Sequence, residues 1–171
     1  MIKKGFTILE ILIVIAIVGT LSGIILVFVS SARTSAADST IKSSLGSLRK
    51  EASIYFNDSS LGNGRYNTTT FLKNSVCLIP GNSFWDGTFI ANGSQGEKLI
   101  TQALNGRAAS LSRCLMDSAG TGWAAAVTSA SSNGQYFCAD HYGTNKITQT
   151  GLSLLTLLQA ASGNGGIPIC P

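Results

Sequence analysis

The chain of 171 residues is long enough for one modest domain with an appended element. Charged residues make up only 12% of it, about half the share usual in soluble domains, while 44% is hydrophobic. Two charges of the formal +4 belong to Lys3 and Lys4, leaving +2, and no basic run is interleaved with aromatics. No nucleic-acid partner is therefore evident in the composition.

Residues 11–29 carry no charged side chain, and residues 6–9 before them are also mostly apolar. Between these stretches sits Glu10. A carboxylate near the hydrocarbon core of a bilayer costs roughly 2.5–3.5 kcal/mol even on lenient insertion scales, so an acid there marks a functional site and calls for a partner. Three readings compete. A secretory signal peptide would use Lys3 and Lys4 as its basic end and be cut near Ala32 or Ala36. Its apolar region is ordinarily about 7–15 residues long, shorter than the run seen here, and holds no acid. A signal anchor with its basic end in the cytoplasm accounts for the length and the lysines but leaves Glu10 unexplained. The third reading is a short basic leader, Met1 to Gly5, ahead of Phe6-Thr7-Ile8-Leu9-Glu10. Cleavage after Gly5 would free an amine on Phe6 that neutralises the Glu10 of a neighbouring chain.

Lys3-Lys4-Gly5-Phe6-Thr7-Ile8-Leu9-Glu10, followed by an apolar helix containing Gly19, resembles the N-terminal signal of the type IV pilin and pseudopilin superfamily. The resemblance implies cleavage between Gly5 and Phe6 on the cytoplasmic side, then methylation of the Phe6 amine, both by a prepilin peptidase/N-methyltransferase. Glu10, five residues after the leader glycine, matches the glutamate of assembly. The further partners implied are copies of the chain itself in a helical homopolymer, a membrane platform protein and an assembly ATPase. The implied location is the cytoplasmic membrane, single-pass with the head outside, and then an extracellular filament. Many members place a proline at the position held here by Val27, yet this chain has none between Phe6 and Pro80. Only Gly19 and Gly23 loosen the helix, at about 0.8–1 kcal/mol each, so melting of the helix on assembly stays open. The same two glycines form a G-x-x-x-G suited to close helix packing.

Beyond residue 29 the pattern turns amphipathic. Ala37, Ile41, Leu45, Leu48, Ala52 and Tyr55 follow steps of three and four, so one apolar stripe continues the helix to about Phe56. Residues 57–64 are rich in Asn, Asp, Ser and Gly and end it; their spacing departs from a twelve-residue calcium loop, which favours a plain turn. Residues 66–78 alternate poorly and read as connecting structure. Residues 95–107 predict a short helix with Leu99, Ile100, Ala103 and Leu104 on one face. Trp123, Ala125 and Val127 alternate with Ala124, Ala126 and Thr128, a turn follows at 131–134, and residues 135–141 return as a strand. Residues 145–150 suggest a third strand and residues 152–161 a leucine-rich helix, before a glycine-rich tail from Gly163 to Pro171. The Trp-then-Tyr-Phe-Cys order and the terminal Cys-Pro are loosely similar to heads of one group of bacterial pilin-like proteins.

Cys77, Cys114, Cys138 and Cys170 are even in number and lack C-x-x-C spacing, which points to disulfides in an oxidising space rather than to a metal site. Three pairings are open; Cys77 with Cys114 and Cys138 with Cys170 is the expected one, each closing a loop of about thirty residues. His141 is the sole histidine, and there is no phosphate-binding G-x-x-x-x-G-K-[ST]. No enzyme, metal or cofactor is expected. Asn57, Asn67 and Asn92 begin glycosylation tripeptides. The fold expected is α+β: a leader at 1–5, a helix at 6–57 whose first part, 6–29, crosses the membrane or lines a filament, and a disulfide-bonded head at 58–171 with a small antiparallel sheet. The function expected is a filament subunit, with a secretion pseudopilin, a minor pilin or a membrane-anchored binding domain as alternatives.

Overall fold

The computed structural model describes residues 5–68, 73–78, 87–91, 93–132, 134–143, 145–149 and 170. The helix expected at 152–161 and the tail, apart from Cys170, lie outside them.

Helix α1 runs unbroken from Ile8 to Asn57, 50 residues or about 75 Å at the α-helical rise. No proline interrupts it, and Gly19 and Gly23 lie within it without ending it. It divides into two halves. From Gly5 to Arg33 every side chain whose placement is described is exposed. The first buried one is Asp38, after which Ile41, Leu45, Leu48 and Ala52 form the buried stripe, with Ala37 and Tyr55 half-buried at its ends. The chain leaves the helix in a turn where the Asp58 carboxylate accepts hydrogen bonds from the Ser60 backbone (2.8 Å) and hydroxyl (2.6 Å). Gly62 then passes so close to the helix end that a Cβ there would meet the Tyr55 and Arg65 carbonyl oxygens at 2.3 Å.

The head is a five-stranded antiparallel meander in sequence order: β1 (Lys73–Ser75), β2 (Ser112–Met116), β3 (Trp123–Thr128), β4 (Gln135–Asp140) and β5 (Asn145–Gln149). Helix α2 (Gln95–Leu104) lies between β1 and β2 in the chain and packs beside α1. Ser94 caps its start, accepting from the Glu97 backbone, and Asn105 in the left-handed conformation ends it. Two strands depart from the sequence expectation. Residues 66–78 were expected to be connecting structure, yet they contribute β1, and β2 had no expectation. β1 is a three-residue edge, and β2 reads Ser-Arg-Cys-Leu-Met, with too little alternation to stand out.

The pleat sends alternate residues to two cores. Cys114, Met116, Trp123, Ala125, Val127, Phe137 and Ala139 meet the α1 stripe together with Ile100, Ala103 and Leu104 of α2. Leu115, Ala124, Ala126 and Cys138 face the other way and form a smaller cluster with Cys170. One disulfide serves each face: Cys77–Cys114 (Cα atoms 4.9 Å apart) and Cys138–Cys170 (5.8 Å).

Polar ties join the helix to the head where the exposed half begins. The Asp38 carboxylate accepts from the Ser129 hydroxyl (3.0 and 3.1 Å), the Ala130 backbone (2.6 Å) and the Ser131 hydroxyl. Arg107 grips the same turn, donating to the Thr128 (2.9 Å) and Ser129 (3.3 Å) carbonyls, and reaches back to the Leu104 carbonyl at the end of α2 (3.2 Å). Farther along α1, Lys42 lies over the Phe137 ring and Arg49 donates to the Gly143 carbonyl (2.9 Å). The Asn67 tripeptide is closed to modification in this fold, because Asn67 is fully buried and its amide donates to the Asp117 carbonyl. Asn92 lies outside the described residues.

Candidate functional site

The site is built at the start of α1. Thr7 has an extended backbone, so it ends the non-helical approach and serves as the cap. Its hydroxyl accepts from the Glu10 backbone (3.3 Å), and the Glu10 Oε2 accepts from the Thr7 backbone (2.8 Å) and hydroxyl (2.9 Å). This is a reciprocal capping box, and it satisfies donors that a helix start otherwise leaves open. It also gives Glu10 a local function that the sequence reading did not assign, although Thr-x-x-Glu ahead of an apolar run is its recognisable signal. One carboxylate oxygen is used. Glu10 Oε1 accepts no hydrogen bond from any described residue.

Gly5 and Phe6 precede the cap and are not helical; Phe6 is 80% exposed, and nothing lies within 4 Å of where a Gly5 Cβ would be. The scissile bond expected from the sequence therefore lies in exposed, non-helical chain directly before the helix. Gly5, Phe6 and Glu10 come together here. Gly19 and Gly23 sit farther up the same helix, about 6 Å apart along its axis, and a Cβ on either would meet nothing within 4 Å. Two polar residues of this half bond within the helix: Thr20 donates to the Ile17 carbonyl (2.9 Å) and Ser22 to the Val18 carbonyl (2.7 Å). With Thr20 and Ser22 paired within the helix and its described apolar side chains exposed, α1 is long and apolar enough to cross a membrane.

The head's titratable groups do not join this site. His141 is half-buried, 3.4 Å from the Trp123 carbonyl and in tilted contact with Tyr142, ring centroids 4.0 Å apart. Among the described residues no three His, Cys, Asp or Glu side chains are grouped to hold a metal ion. The four cysteines are all paired in the two disulfides of the sheet.

Residues 1–26 match the family described as the prokaryotic N-terminal methylation motif. The chain thus carries the prepilin-type cleavage and methylation signal of type IV pilins, on a pilin-like α+β fold. The signal is that of a structural, pilin-type protein rather than of an enzyme family, and it implies processing by a prepilin peptidase. Together with the apolar helix it fits membrane anchoring before assembly. No curated protein and no solved structure matches the chain.

Proposed function

We propose that this chain is a structural subunit of a type IV pilus or related extracytoplasmic filament, polymerised through its N-terminal helix after leader removal. The observation that carries the reading is Glu10: one oxygen caps its own helix while the other has no partner among the described residues, on a helix half whose described side chains are exposed. Residues 1–5 act as the leader, 6–29 as membrane span and then filament core, and 58–171 as the head outside the membrane. Lys3 and Lys4 hold the precursor's N-terminus in the cytoplasm. The peptidase cuts between Gly5 and Phe6, and the new amine is methylated. A methylated amine keeps its positive charge.

Assembly then exchanges lipid for sister helices. The contact is heterologous and does not close on itself, so it propagates as a helical polymer. Within that low-dielectric bundle the Phe6 amine of one subunit approaches the open Oε1 of another's Glu10. A subunit added in the wrong register leaves a buried charge unpaired, at a cost of about 3–5 kcal/mol. The pair thereby sets axial register, and the helix cap made by Oε2 need not break to form it. Gly19 and Gly23 let a neighbouring helix approach closely. The platform protein and an ATPase supply the work of extrusion.

Glu10→Ala is expected to leave leader removal largely intact and to abolish or strongly reduce filament yield in sheared surface fractions. Normal filaments from this variant would reject the pairing. Proteomics of wild-type filaments, reading the abundance of this chain, separates a major subunit from a minor pilin or pseudopilin.

A further inference from the structure

Asp38 is a buried carboxylate on α1 that the filament mechanism does not use. We propose that it is the pin that fixes the direction in which the exposed half of α1 leaves the head. Three observations carry this. First, Asp38 is the earliest buried side chain on α1 among the described residues, so it marks the point where the free half ends. Second, its donors come from three successive residues of one turn, the hydroxyls of Ser129 and Ser131 and the backbone of Ala130. Third, Arg107 holds that same turn by its Thr128 and Ser129 carbonyls while bound to the end of α2, so α1, α2 and β3 meet in one polar knot.

The apolar stripe alone does not fix this geometry. Burial of Ile41, Leu45, Leu48 and Ala52 is non-directional, so a helix held only by such contacts can rock or slide at modest cost. Hydrogen bonds to a carboxylate are directional and stronger than neutral ones. A carboxylate gripped by successive donors fixes both the rotation of α1 and its position along its axis. A displacement of the free half is then carried into the β3–β4 turn instead of being absorbed at the junction. The inference takes its purpose from the filament reading, but the pin itself is a property of the single chain.

The test is hydrogen exchange by mass spectrometry on the full chain in lipid nanodiscs, comparing wild type with Asp38→Asn, whose amide offers donors to a turn that supplies donors. Exchange is expected to rise about tenfold in peptides covering residues 34–41 and 128–132, with little change over residues 45–52 and β4. A uniform rise across the head, or none, overturns the proposal. If Asp38→Asn fails to form both disulfides, Ser131→Ala at an exposed position takes its place and is expected to raise exchange by about threefold in the same two segments; unchanged exchange there overturns the pin. Filament yield is measured in parallel. Absence of filaments from wild type rejects the filament reading and leaves the exchange result standing, whereas localised loss of protection with normal filaments rejects the pin's role in assembly.

Discussion

At the residue scale, Glu10 has two claims on it, and the geometry separates them. Thr7 takes Oε2 and leaves Oε1, so helix capping and pairing with another subunit are compatible. Thr7→Val removes the hydroxyl from the box and keeps the carboxylate. It is expected to destabilise the first turn by about 0.5–2 kcal/mol, seen as faster amide exchange over residues 8–11, while filaments still form. Loss of filaments equal to that of Glu10→Ala would mean that the cap, rather than the open oxygen, controls assembly. Asp38 gives a pH prediction. Burial pushes its carboxyl up, but hydrogen bonds from Ser131, Ala130 and Ser129 outweigh this and hold it below the ordinary carboxylate value. A depressed folded-state value means stability that is fully present above the unfolded value, about 3.9, and lost as pH falls through the folded one. Melting of wild type from pH 6 to 2.5 should therefore fall more steeply than that of Asp38→Asn; parallel curves would show that Asp38 is not protonated on unfolding. The two acids also differ in legibility. Glu10 announced itself because an acid inside an apolar run is anomalous and its motif is local. Asp38 looked like an ordinary polar helix residue, because its partners lie 91 to 93 residues along the chain.

At the element scale, what the sequence made legible was what repeats within a short window. The stripe on α1 recurs over several turns, and the expected Ile41, Leu45, Leu48 and Ala52 are buried. β3 is a continuous apolar run ending at Thr128, and β4 follows a turn rich in Ser, Asn and Gly. β1 was hidden because its partner is distant, Lys73–Ser75 pairing with Cys114–Met116, whereas β2 pairs in full with β3 across a short turn but its Ser-Arg-Cys-Leu-Met carries little strand pattern of its own. The disulfides add ties that secondary structure alone lacks. Cys77–Cys114 secures the short edge pair β1–β2, and Cys138–Cys170 holds a distant residue to the opposite face. Their sequence separations, 37 and 32, are nearly equal. If loop closure dominates, replacing either pair by serines costs about 3–4 kcal/mol. Urea unfolding of the full chain in detergent, followed by tryptophan fluorescence, checks this. A much larger loss for one pair would show that native contacts at that bridge, rather than chain entropy, set its contribution.

At the scale of the whole molecule, a helix of about 75 Å is far longer than its head can cover, and the uncovered half is the apolar one. That surplus is long and apolar enough to cross a membrane, and in the proposed filament it packs against copies of itself. In that proposal, the passage from lipid to filament depends on where the helix begins. Because Thr7 caps it, Ile8 is the first helical residue, and the Gly5–Phe6 bond stays in exposed, non-helical chain that a peptidase can bind. A β-branched side chain at Gly5 fills the open space beside that bond without touching the helix, the head or Glu10. Gly5→Val is therefore expected to accumulate as full-length, membrane-bound, correctly disulfide-bonded precursor, with no subunit in sheared surface material. Intact mass of the wild-type subunit from such material should correspond to a chain beginning at methylated Phe6. A wild-type subunit that retains Met1, or one cut near Ala36 and released, lacks either the amine or the helix that Glu10 requires, and the filament reading fails with it.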